Sequence, residues 1–455
     1  MNRNSKGRKH FRAGAALLAA GLAGWLGSPA TLPERTAAET PGTERTLAPR
    51  AALTDSVDLR LPFAVDSLCR VNDPSRSLDG FLDGLEQLLA GRDTVVRIVH
   101  LGDSHVQAGF YSGQVMRLLH GAFGNAGRGW IAPLKLARGN EPKDYRITSS
   151  TVGKWTAGRC VQRVPDCPWG LGGIGLRPES NTVDLSIGIS PLRGAGYAFN
   201  EVLFYRDART LRLLPDANDE RWTEAVCGAD PQVPGVVVDT FRLATTVDSL
   251  HLYSILPDEC LPGEATGSYY GFSLLNGRPG VLYHSIGQNG AMFVNYADAG
   301  YVRQLSLLRP SLLIVTLGTN ESYTSSHRFR EEEFVSQMNG FIRLVREYLP
   351  STAILLTTPA ENYRRTRNGF VRNENIARTA RAITEYAEDR GLACFDLYRA
   401  TGGANSCKKW RDGKLLGRDR VHYSAEGYYE QGKLLYRALV RLQMNRQHPA
   451  AGDEH

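Results

Sequence analysis

Long apolar runs, sequence repeats and closely spaced cysteine pairs are scarce in this 455-residue chain. It has no internal repeat and no coiled-coil pattern, so repeat proteins and coiled coils are excluded. None of its seven cysteines forms a Cys-x-x-Cys motif, and neither a zinc motif nor a redox motif is present. Only the run from Ala13 to Leu26 is apolar enough to enter a membrane, which excludes a protein with several membrane spans.

A strong excess of positive charge is missing from most of the chain. The net charge is +7, but five of these charges lie in the first twelve residues, on Arg3, Lys6, Arg8, Lys9 and Arg12. The remainder therefore carries a net charge of only +2. This balance gives no reason to expect a nucleic-acid partner.

The basic start, the apolar run Ala13 to Leu26 and the small residues Ser28 and Ala30 are together typical of an export signal. The run has 14 residues, whereas a helix needs about 20 to span a bilayer. We therefore predict that residues 1–30 are an export signal, with an uncleaved membrane anchor as the alternative. The predicted location is the periplasm or the cell envelope.

Export would place the cysteines in an oxidising compartment, where disulfide formation is favoured over metal binding. The sequence does not determine the pairing. The local pairs that we expect, with Cys69 left over, are Cys160–Cys167, Cys227–Cys260 and Cys394–Cys407. We expect no metal ion and no organic cofactor.

Alternating strand and helix patterns predict an α/β fold with a doubly wound, mainly parallel sheet. The β-branched run Thr94 to Leu101 is typical of a buried parallel strand, and a helical pattern precedes it from Phe81 to Leu89. Further strands are predicted at Ser311 to Leu317, Ala353 to Thr357 and Leu392 to Phe395, with amphipathic helices between them. Ser424 is the predicted N-cap of a last helix.

From about residue 140 to 276 the pattern changes to short strands separated by Pro, Gly and Asp clusters, which predicts an inserted all-β sandwich or jelly roll. A hairpin with Asn276-Gly277 at its tip is expected next. The predicted segments are an export signal or anchor (1–30), a flexible tether (31–60), the α/β domain (61–140 and 276–445), the inserted β module (141–275) and a tail (446–455).

Four polar motifs lie where predicted strands end or just before the last helix. They are Gly102-Asp103-Ser104-His105, the glycine block Ser285 to Ala291, Gly318-Thr319-Asn320-Glu321 and Asp419-Arg420-Val421-His422. In a doubly wound sheet, ligands bind beyond the carboxyl ends of the strands. We therefore expect these four motifs to form one site.

Together the motifs contain the groups that a serine esterase needs. Ser104 is the predicted nucleophile, His422 the base and Asp419 the carboxylate that orients it. The backbone N–H groups of Ser104 and Gly290 and the side-chain amide of Asn320 are the predicted oxyanion donors.

Each motif alone has a simpler explanation. Ser104 fits a helix-capping turn, Asn320 fits a turn, and both Gly287 and Gly290 fit positive φ angles. The Asp-x-x-His pair fits an exposed loop salt bridge. It is the order and placement of all four motifs that favour catalysis.

In this combination the chain resembles the SGNH, or GDSL-type, hydrolase family over roughly residues 91–135 and 276–445. The resemblance implies a flavodoxin-like fold with Ser104, Gly290, Asn320 and His422 as block residues and Asp419 as the triad acid. Gly287 is a rival for Gly290. No Gly-x-Ser-x-Gly motif occurs, which argues against the α/β-hydrolase fold.

The 186 positions between Ser104 and Gly290, with a β module between them, are similar to the arrangement in bacterial peptidoglycan O-acetylesterases. In that subgroup the insert resembles a carbohydrate-binding module. The Gly-Asp-Ser-His form of the first motif also matches. We expect His105 to pack or hydrogen-bond beside the site rather than to act as a second catalytic imidazole.

The prediction is therefore an exported serine esterase that removes acyl groups, most readily acetyl, from a cell-wall or other glycan. The alternatives are an acyltransferase that uses the same residues and a noncatalytic glycan-binding protein. Trp155, Trp169 and Tyr197 are the candidate surfaces for stacking against sugar rings, with burial in the core as the default role of each.

Overall fold

A computed structural model describes residues 30–31, 53–61, 66–150, 155–180, 182–190, 196–216, 219–255 and 266–447. The predicted export signal and the predicted tail lie almost entirely outside these ranges, and so does much of the predicted tether. Within these ranges, no helix has both the length and the apolar character required to cross a membrane.

The elements are numbered here in chain order. The strands are β1 (Ala30–Thr31), β2 (Val71–Asn72), β3 (Val95–Gly102), β4 (Gly129–Ile131), β5 (Tyr145–Thr148), β6 (Trp155–Arg159), β7 (Ile174–Pro178), β8 (Asp184–Ile189), β9 (Phe199–Asp207), β10 (Arg212–Pro215), β11 (Trp222–Ala229), β12 (Val236–Val247), β13 (Ser249–Ile255), β14 (Tyr269–Leu275), β15 (Gly280–Gly287), β16 (Leu312–Thr316), β17 (Ala353–Thr357), β18 (Tyr363–Thr366), β19 (Gly369–Arg372) and β20 (Ala393–Phe395). The helices are α1 (Asp79–Leu89), α2 (Ser104–Gln107), α3 (Tyr111–Phe123), α4 (Phe293–Tyr296), α5 (Ala299–Leu305), α6 (Thr319–Ser322), α7 (Glu331–Tyr348), α8 (Asn375–Asp389), α9 (Leu397–Ala400), α10 (Ser406–Asp412) and α11 (Ala425–Gln447).

The sheet that carries the predicted site has six strands in the order β15-β3-β16-β17-β20-β2. All neighbours are parallel except β2, which runs antiparallel to β20. Gly102 pairs with both Gly287 and Thr316, so β3, β15 and β16 end at the same level. The residues that follow these three strands therefore begin side by side.

Hydrophobic clusters cover both faces of this sheet. Along β3, Ile98 packs into one cluster with residues of α1, α3 and α11, whereas Val99 packs into the other with residues of α7 and α8. This alternation follows from the two-residue side-chain period of a strand. The strand and helix boundaries in this half of the chain agree with the sequence patterns, and the Ser424 hydroxyl caps α11 by accepting the N–H of Gly427.

Between β3 and β15, the described residues from Tyr145 to Leu275 form strands and no helix. The ten strands of this stretch, together with β1 and β4, form two sheets. These are a four-stranded sheet β10-β13-β8-β5 and an eight-stranded sheet in the order β1-β11-β12-β9-β14-β7-β6, with β4 paired to β14. A cluster that includes Phe199, Phe241 and Leu252 is shared by the two sheets.

The inserted β region shares a hydrophobic cluster with the α/β region. Trp130, Leu176 and Tyr205 belong to the same hydrophobic cluster as Leu101 and Ile286 of the parallel sheet. Because the two regions share this cluster, removal of the β region would expose apolar surface of the parallel sheet.

The predicted hairpin around Asn276-Gly277 is wrong. Strand β14, which precedes this turn, pairs with β9, β4 and β7, while β15, which follows it, pairs with β3. The turn residues match a hairpin locally, but here they carry the chain from one sheet into the other.

The predicted local disulfides Cys160–Cys167 and Cys394–Cys407 are also absent. The Cys167 thiol faces backbone carbonyls of β6 and β7, and the Cys407 thiol donates to the carbonyl of Glu361 at 2.9 Å. These thiols are therefore used inside the fold. Cys260, the predicted partner of Cys227, lies outside the described residues.

Candidate active site

Ser104 lies on a tight turn directly after the central strand β3. Gly102, the last residue of the strand, has no room for a side chain, because a Cβ atom there would lie 2.8 Å from the carbonyl oxygen of Thr316. The Asp103 side chain then accepts the N–H of His105 at 2.9 Å and caps helix α2. Ser104 is the first residue of that helix, and it is half-buried.

The structure brings Ser104, His422 and Asp419 into one hydrogen-bonded chain. The Ser104 Oγ lies 2.7 Å from His422 Nε2, although 318 positions separate the two residues. The His422 Nδ1 lies 2.7 Å from Asp419 Oδ2. Because a carboxylate only accepts, Nδ1 carries the ring proton and Nε2 is left to accept the serine proton.

The loop from Asp419 to His422 keeps this carboxylate in place. Asp419 Oδ1 accepts the backbone N–H groups of Val421 at 3.0 Å and of His422 at 2.9 Å. Partial burial alone would raise the pKa of Asp419, but the hydrogen bonds from the His422 ring and from these two N–H groups outweigh it and lower the pKa. Asp419 is therefore ionised at neutral pH.

Two backbone N–H groups are available to an oxyanion. Among the described residues, neither the Ser104 N–H nor the Gly290 N–H donates to a protein group. Gly290 is exposed in the turn after β15, with a φ of +79° that favours glycine. Its rival Gly287 is buried, and a Cβ atom there would collide with the backbone N of Gln107. The geometry thus favours Gly290 over Gly287 as the donor.

The Asn320 side chain lies between the first motif and the glycine block. Its Nδ2 donates to the carbonyl of Ala291 at 2.9 Å and to Asp103 Oδ2 at 3.2 Å. The first bond fixes the amide against the segment that follows Gly290. The second bond is the longer one. An oxyanion would compete with Asp103 for the proton of this bond.

If the Asn320 amide donates to the oxyanion, Asn320→Ala should lower kcat roughly 10²–10³-fold, with a much smaller change in KM. Steady-state kinetics on an aryl acetate measure both constants. Asn339→Ala, which removes an amide on α7 bonded to Tyr386, is the control and should retain activity. An effect on KM alone would place Asn320 in substrate binding instead.

Two carboxyl groups that the sequence analysis did not single out, the buried Asp103 and the half-buried Glu321, support this arrangement. Asp103 caps α2, and Glu321 Oε1 accepts the N–H of Phe293 at 2.8 Å, which holds the start of α4 after the glycine block. Burial raises the pKa of each to about 7, and the charge of Asp103 raises that of Glu321 further. Within the described residues, Glu321 Oε2 has no hydrogen-bond partner.

The free energy of unfolding of Glu321→Gln, compared with that of wild type, should increase as the pH rises from acidic to alkaline. Because the folded-state pKa of Glu321 is raised from 4.5 to about 7, wild-type stability falls as the pH rises through this window. Glutamine does not titrate, so the stability difference should shift in favour of the variant by about 3 kcal/mol.

Urea unfolding at about pH 4 and about pH 8 measures this shift. Glu332→Gln removes an exposed carboxyl group in the first turn of α7 and is the control. A shift no larger than that of the control would contradict the buried charge at Glu321.

His105 packs beside the catalytic pair. Its Nδ1 lies 2.9 Å from the hydroxyl of Tyr428, and its ring centroid is 5.1 Å from that of His422. Burial lowers the pKa of His105 to about 3, so the ring is neutral. This geometry agrees with the packing role.

Gln107 is a further residue that the sequence analysis missed. Its Oε1 accepts the N–H of Asn289 at 2.6 Å, and its Nε2 donates to the carbonyl of Asn140 at 3.0 Å. It therefore ties the glycine block to the turn of Ser104. A position in the helix after the nucleophile is the only signal, because both partners are remote in the sequence.

Residues 261–429 match the profile of the GDSL-like Lipase/Acylhydrolase family. The match includes Gly290, Asn320, Asp419 and His422, whereas Ser104 precedes it. Over this part of its length the chain is therefore similar to GDSL-type hydrolases. No curated protein sequence matches the chain.

Solved structures extend the comparison beyond these residues. A structure described as a peptidoglycan O-acetylesterase in action has a TM-score of 0.66 and 20% identity, and the alignment covers 82% of this chain and 99% of that one. At this identity the likeness establishes the fold.

Two further structures align over shorter stretches of this chain. A catalytic mutant of an acetylxylan esterase from Geobacillus stearothermophilus has a TM-score of 0.27 and 20% identity, with 36% of this chain and 73% of that chain covered. A carbohydrate esterase of family 3 from Talaromyces cellulolyticus has a TM-score of 0.27 and 16% identity, with 42% and 79% covered.

Proposed function

We propose that this protein is an exported serine esterase that removes O-acetyl groups from a cell-wall glycan, with peptidoglycan as the leading candidate. The observation that carries the proposal is the hydrogen-bonded chain Ser104–His422–Asp419 at the carboxyl end of the parallel sheet. The similarity to GDSL-type hydrolases supports acyl-ester hydrolysis. The fold shared with a peptidoglycan O-acetylesterase over 82% of the chain supports the choice of glycan.

In the first half of the reaction, His422 Nε2 takes the proton of Ser104 Oγ as the oxygen attacks the ester carbonyl carbon. The carbonyl oxygen becomes an oxyanion, which the N–H groups of Ser104 and Gly290 and the Asn320 amide stabilise. His422 then gives its proton to the departing sugar hydroxyl, which leaves an acetyl group on Ser104.

In the second half, water replaces the sugar. His422 removes a proton from the water as its oxygen attacks the acetyl carbonyl, and the same donors hold the second oxyanion. When this intermediate collapses, acetate leaves and Ser104 recovers its proton from His422. Asp419 stays ionised throughout and stabilises the protonated imidazole.

Exposure of the triad favours hydrolysis over transfer to a second sugar. The side chain of His422 is 42% exposed and that of Asp419 is 55% exposed. Water therefore reaches the base directly, as deacylation by hydrolysis requires. An open site also suits a polymer, which has to approach with its chain intact.

Of the three candidate residues for stacking against sugar rings, Trp155 is the best placed to contact a glycan. Trp155 is half-buried and lines a cavity of about 510 Å³ together with Arg138, Arg159 and Arg177. Trp169 is also half-buried, but it packs against the buried Tyr301. Tyr197 is only 2% exposed, so it belongs to the core and not to a glycan surface.

The deciding experiment incubates the purified ectodomain with an aryl acetate and with O-acetylated peptidoglycan and measures released acetate. Acetate release from both substrates is the expected result. Transfer of acetyl to an added glycan without free acetate would support the acyltransferase alternative. Absence of both reactions, with peptidoglycan still bound, would indicate a binding protein.

A further inference from the structure

A short arginine-rich hairpin stands beside the catalytic motifs. It consists of β18 and β19, which pair antiparallel from Tyr363 to Arg372. These ten residues include four arginines and no Asp or Glu. No role in the chemistry above uses them.

Backbone hydrogen bonds attach this hairpin to two catalytic segments. The N–H of Tyr363 donates to the carbonyl of Arg420, inside the loop that holds Asp419 and His422, at 2.8 Å. The N–H of Arg365 donates to the hydroxyl of Tyr323, three residues after Asn320, at 3.1 Å. The hairpin is thus a wall of the site.

Buried amides make the base of the hairpin rigid. Asn373 pairs with Asn362 through the backbone at 3.0 Å and through the side chains at 3.0 Å. Asn375 Nδ2 donates to the carbonyls of Ser322 at 3.0 Å and Thr324 at 2.9 Å. A base held in this way presents the hairpin side chains in a fixed place relative to the triad.

Two carboxylates close to the hairpin are already engaged, whereas Glu374 at its base is exposed. Glu361 is buried and accepts the N–H groups of Asn405 and Cys407, and it lies 3.8 Å from Arg372. Asp419 is bonded to His422. They leave little capacity to neutralise the arginines at the tip of the hairpin.

Three arginines face solvent around this wall. Arg365, Arg367 and Arg418 are exposed, and within the described residues none of them has a carboxylate partner. Arg420, by contrast, is held over the ring of Phe370, with 4.4 Å between the guanidinium carbon and the ring centroid. The exposed guanidinium groups are therefore free to contact a ligand next to the triad.

We propose that this hairpin binds carboxylate groups of the substrate, which makes the substrate an anionic, carboxylate-bearing O-acetylated glycan. The inference rests on the proposed esterase function and specifies its polymer. Guanidinium groups match carboxylates in charge and geometry through paired N–H donors. Contacts remote from the reacting ester contribute to reaction of the polymer and not of a small acetate ester.

The first test uses the full ectodomain with the double variant R365Q/R367Q. Its kcat/KM on O-acetylated peptidoglycan with free carboxyl groups should fall on the order of tenfold or more at low salt, while aryl-acetate turnover stays within about twofold of wild type. The control R346Q/R390Q removes two exposed arginines at the opposite edge of the parallel sheet, where β17 and β20 begin. It should behave as wild type on both substrates.

The second test changes the polymer and leaves the protein unaltered. Amidation of the peptidoglycan carboxyl groups should lower wild-type kcat/KM to the level of R365Q/R367Q and should not lower that of the variant further. An equal loss in the variant and the control, or an amidated polymer that reacts as well as the original, would overturn the proposal.

A binding assay distinguishes failure of this inference from failure of the proposed function. Cosedimentation of Ser104→Ala with insoluble peptidoglycan should be strong, and it should be lost when R365Q/R367Q is added or the carboxyl groups are amidated. If R365Q/R367Q abolishes binding but the wild-type protein hydrolyses no ester, the hairpin proposal stands and the esterase function is rejected. If R365Q/R367Q leaves binding unchanged while the wild-type protein hydrolyses the ester, only the hairpin proposal is rejected.

Discussion

Ser104→Ala should lower kcat on an aryl acetate by several orders of magnitude, on the order of 10⁶ as in comparable triads. Without Oγ there is no atom to form the acyl-enzyme, and the remaining oxyanion donors supply only a small part of the rate enhancement. Folding should be unaffected, because Oγ bonds to His422 at the mouth of the site and not to the core.

Ser325→Ala is the matched control for this variant. Its Oγ also contacts a histidine, with 3.3 Å to His327 Nε2, but neither residue belongs to the four motifs. Kinetics and thermal unfolding of both variants distinguish loss of chemistry from loss of fold. Retention of a tenth of wild-type activity in Ser104→Ala would show that another group is the nucleophile.

Asp419→Asn should lower kcat roughly 10⁴-fold, as loss of the triad acid does in related constellations. An amide can donate to His422 Nδ1, which would place the ring proton on Nε2 and leave no acceptor for Ser104. The variant also lacks the negative charge that stabilises the protonated imidazole. The backbone bonds to Val421 and His422 can still form through the amide oxygen.

Asp412→Asn is the matched control, because it removes an exposed carboxylate that pairs with the neighbouring Arg411. It should retain activity on an aryl acetate. A loss of less than about tenfold in Asp419→Asn would indicate that a different group orients His422, and the His422 loop would then need a new assignment.

The meeting of the four motifs was predictable because it depends on a general property of parallel sheets. Strand patterns placed Ser104 and Asn320 just after strands, and the carboxyl ends of parallel strands share one edge. The spacing of Asp419 and His422 also allowed contact within one turn of chain. These predictions needed only residue type, order and short spacing, which the sequence contains directly.

The supporting contacts of the site were not predictable in this way. Glu321 accepts the N–H of Phe293. Gln107 accepts the N–H of Asn289, although 182 positions separate Gln107 from Asn289. Nothing local distinguishes these side chains from ordinary polar residues. Their partners are set by the packing of α2 and α6 against the glycine block.

Local turn and cysteine chemistry was misleading for the same reason. Asn276-Gly277 has the residues of a tight hairpin, yet β15 is paired with β3 in a different sheet from β14. Cys160 and Cys167 are close in the sequence, yet Cys167 bonds to strand carbonyls. Pairing in the sheet and burial in the shared core overrode preferences that act over a few residues.

The sequence by itself determined the strand and helix periodicity of the α/β half, the identity of the reactive groups and their order along the chain. These properties follow from side-chain type and from periods of 2 and 3.6 residues. Only the tertiary structure decided which glycine N–H faces solvent, how Asp103 and Glu321 became buried enough for raised pKa values, and where the arginine hairpin stands. Burial and long-range contact depend on segments far apart in the chain, so no local pattern encodes them.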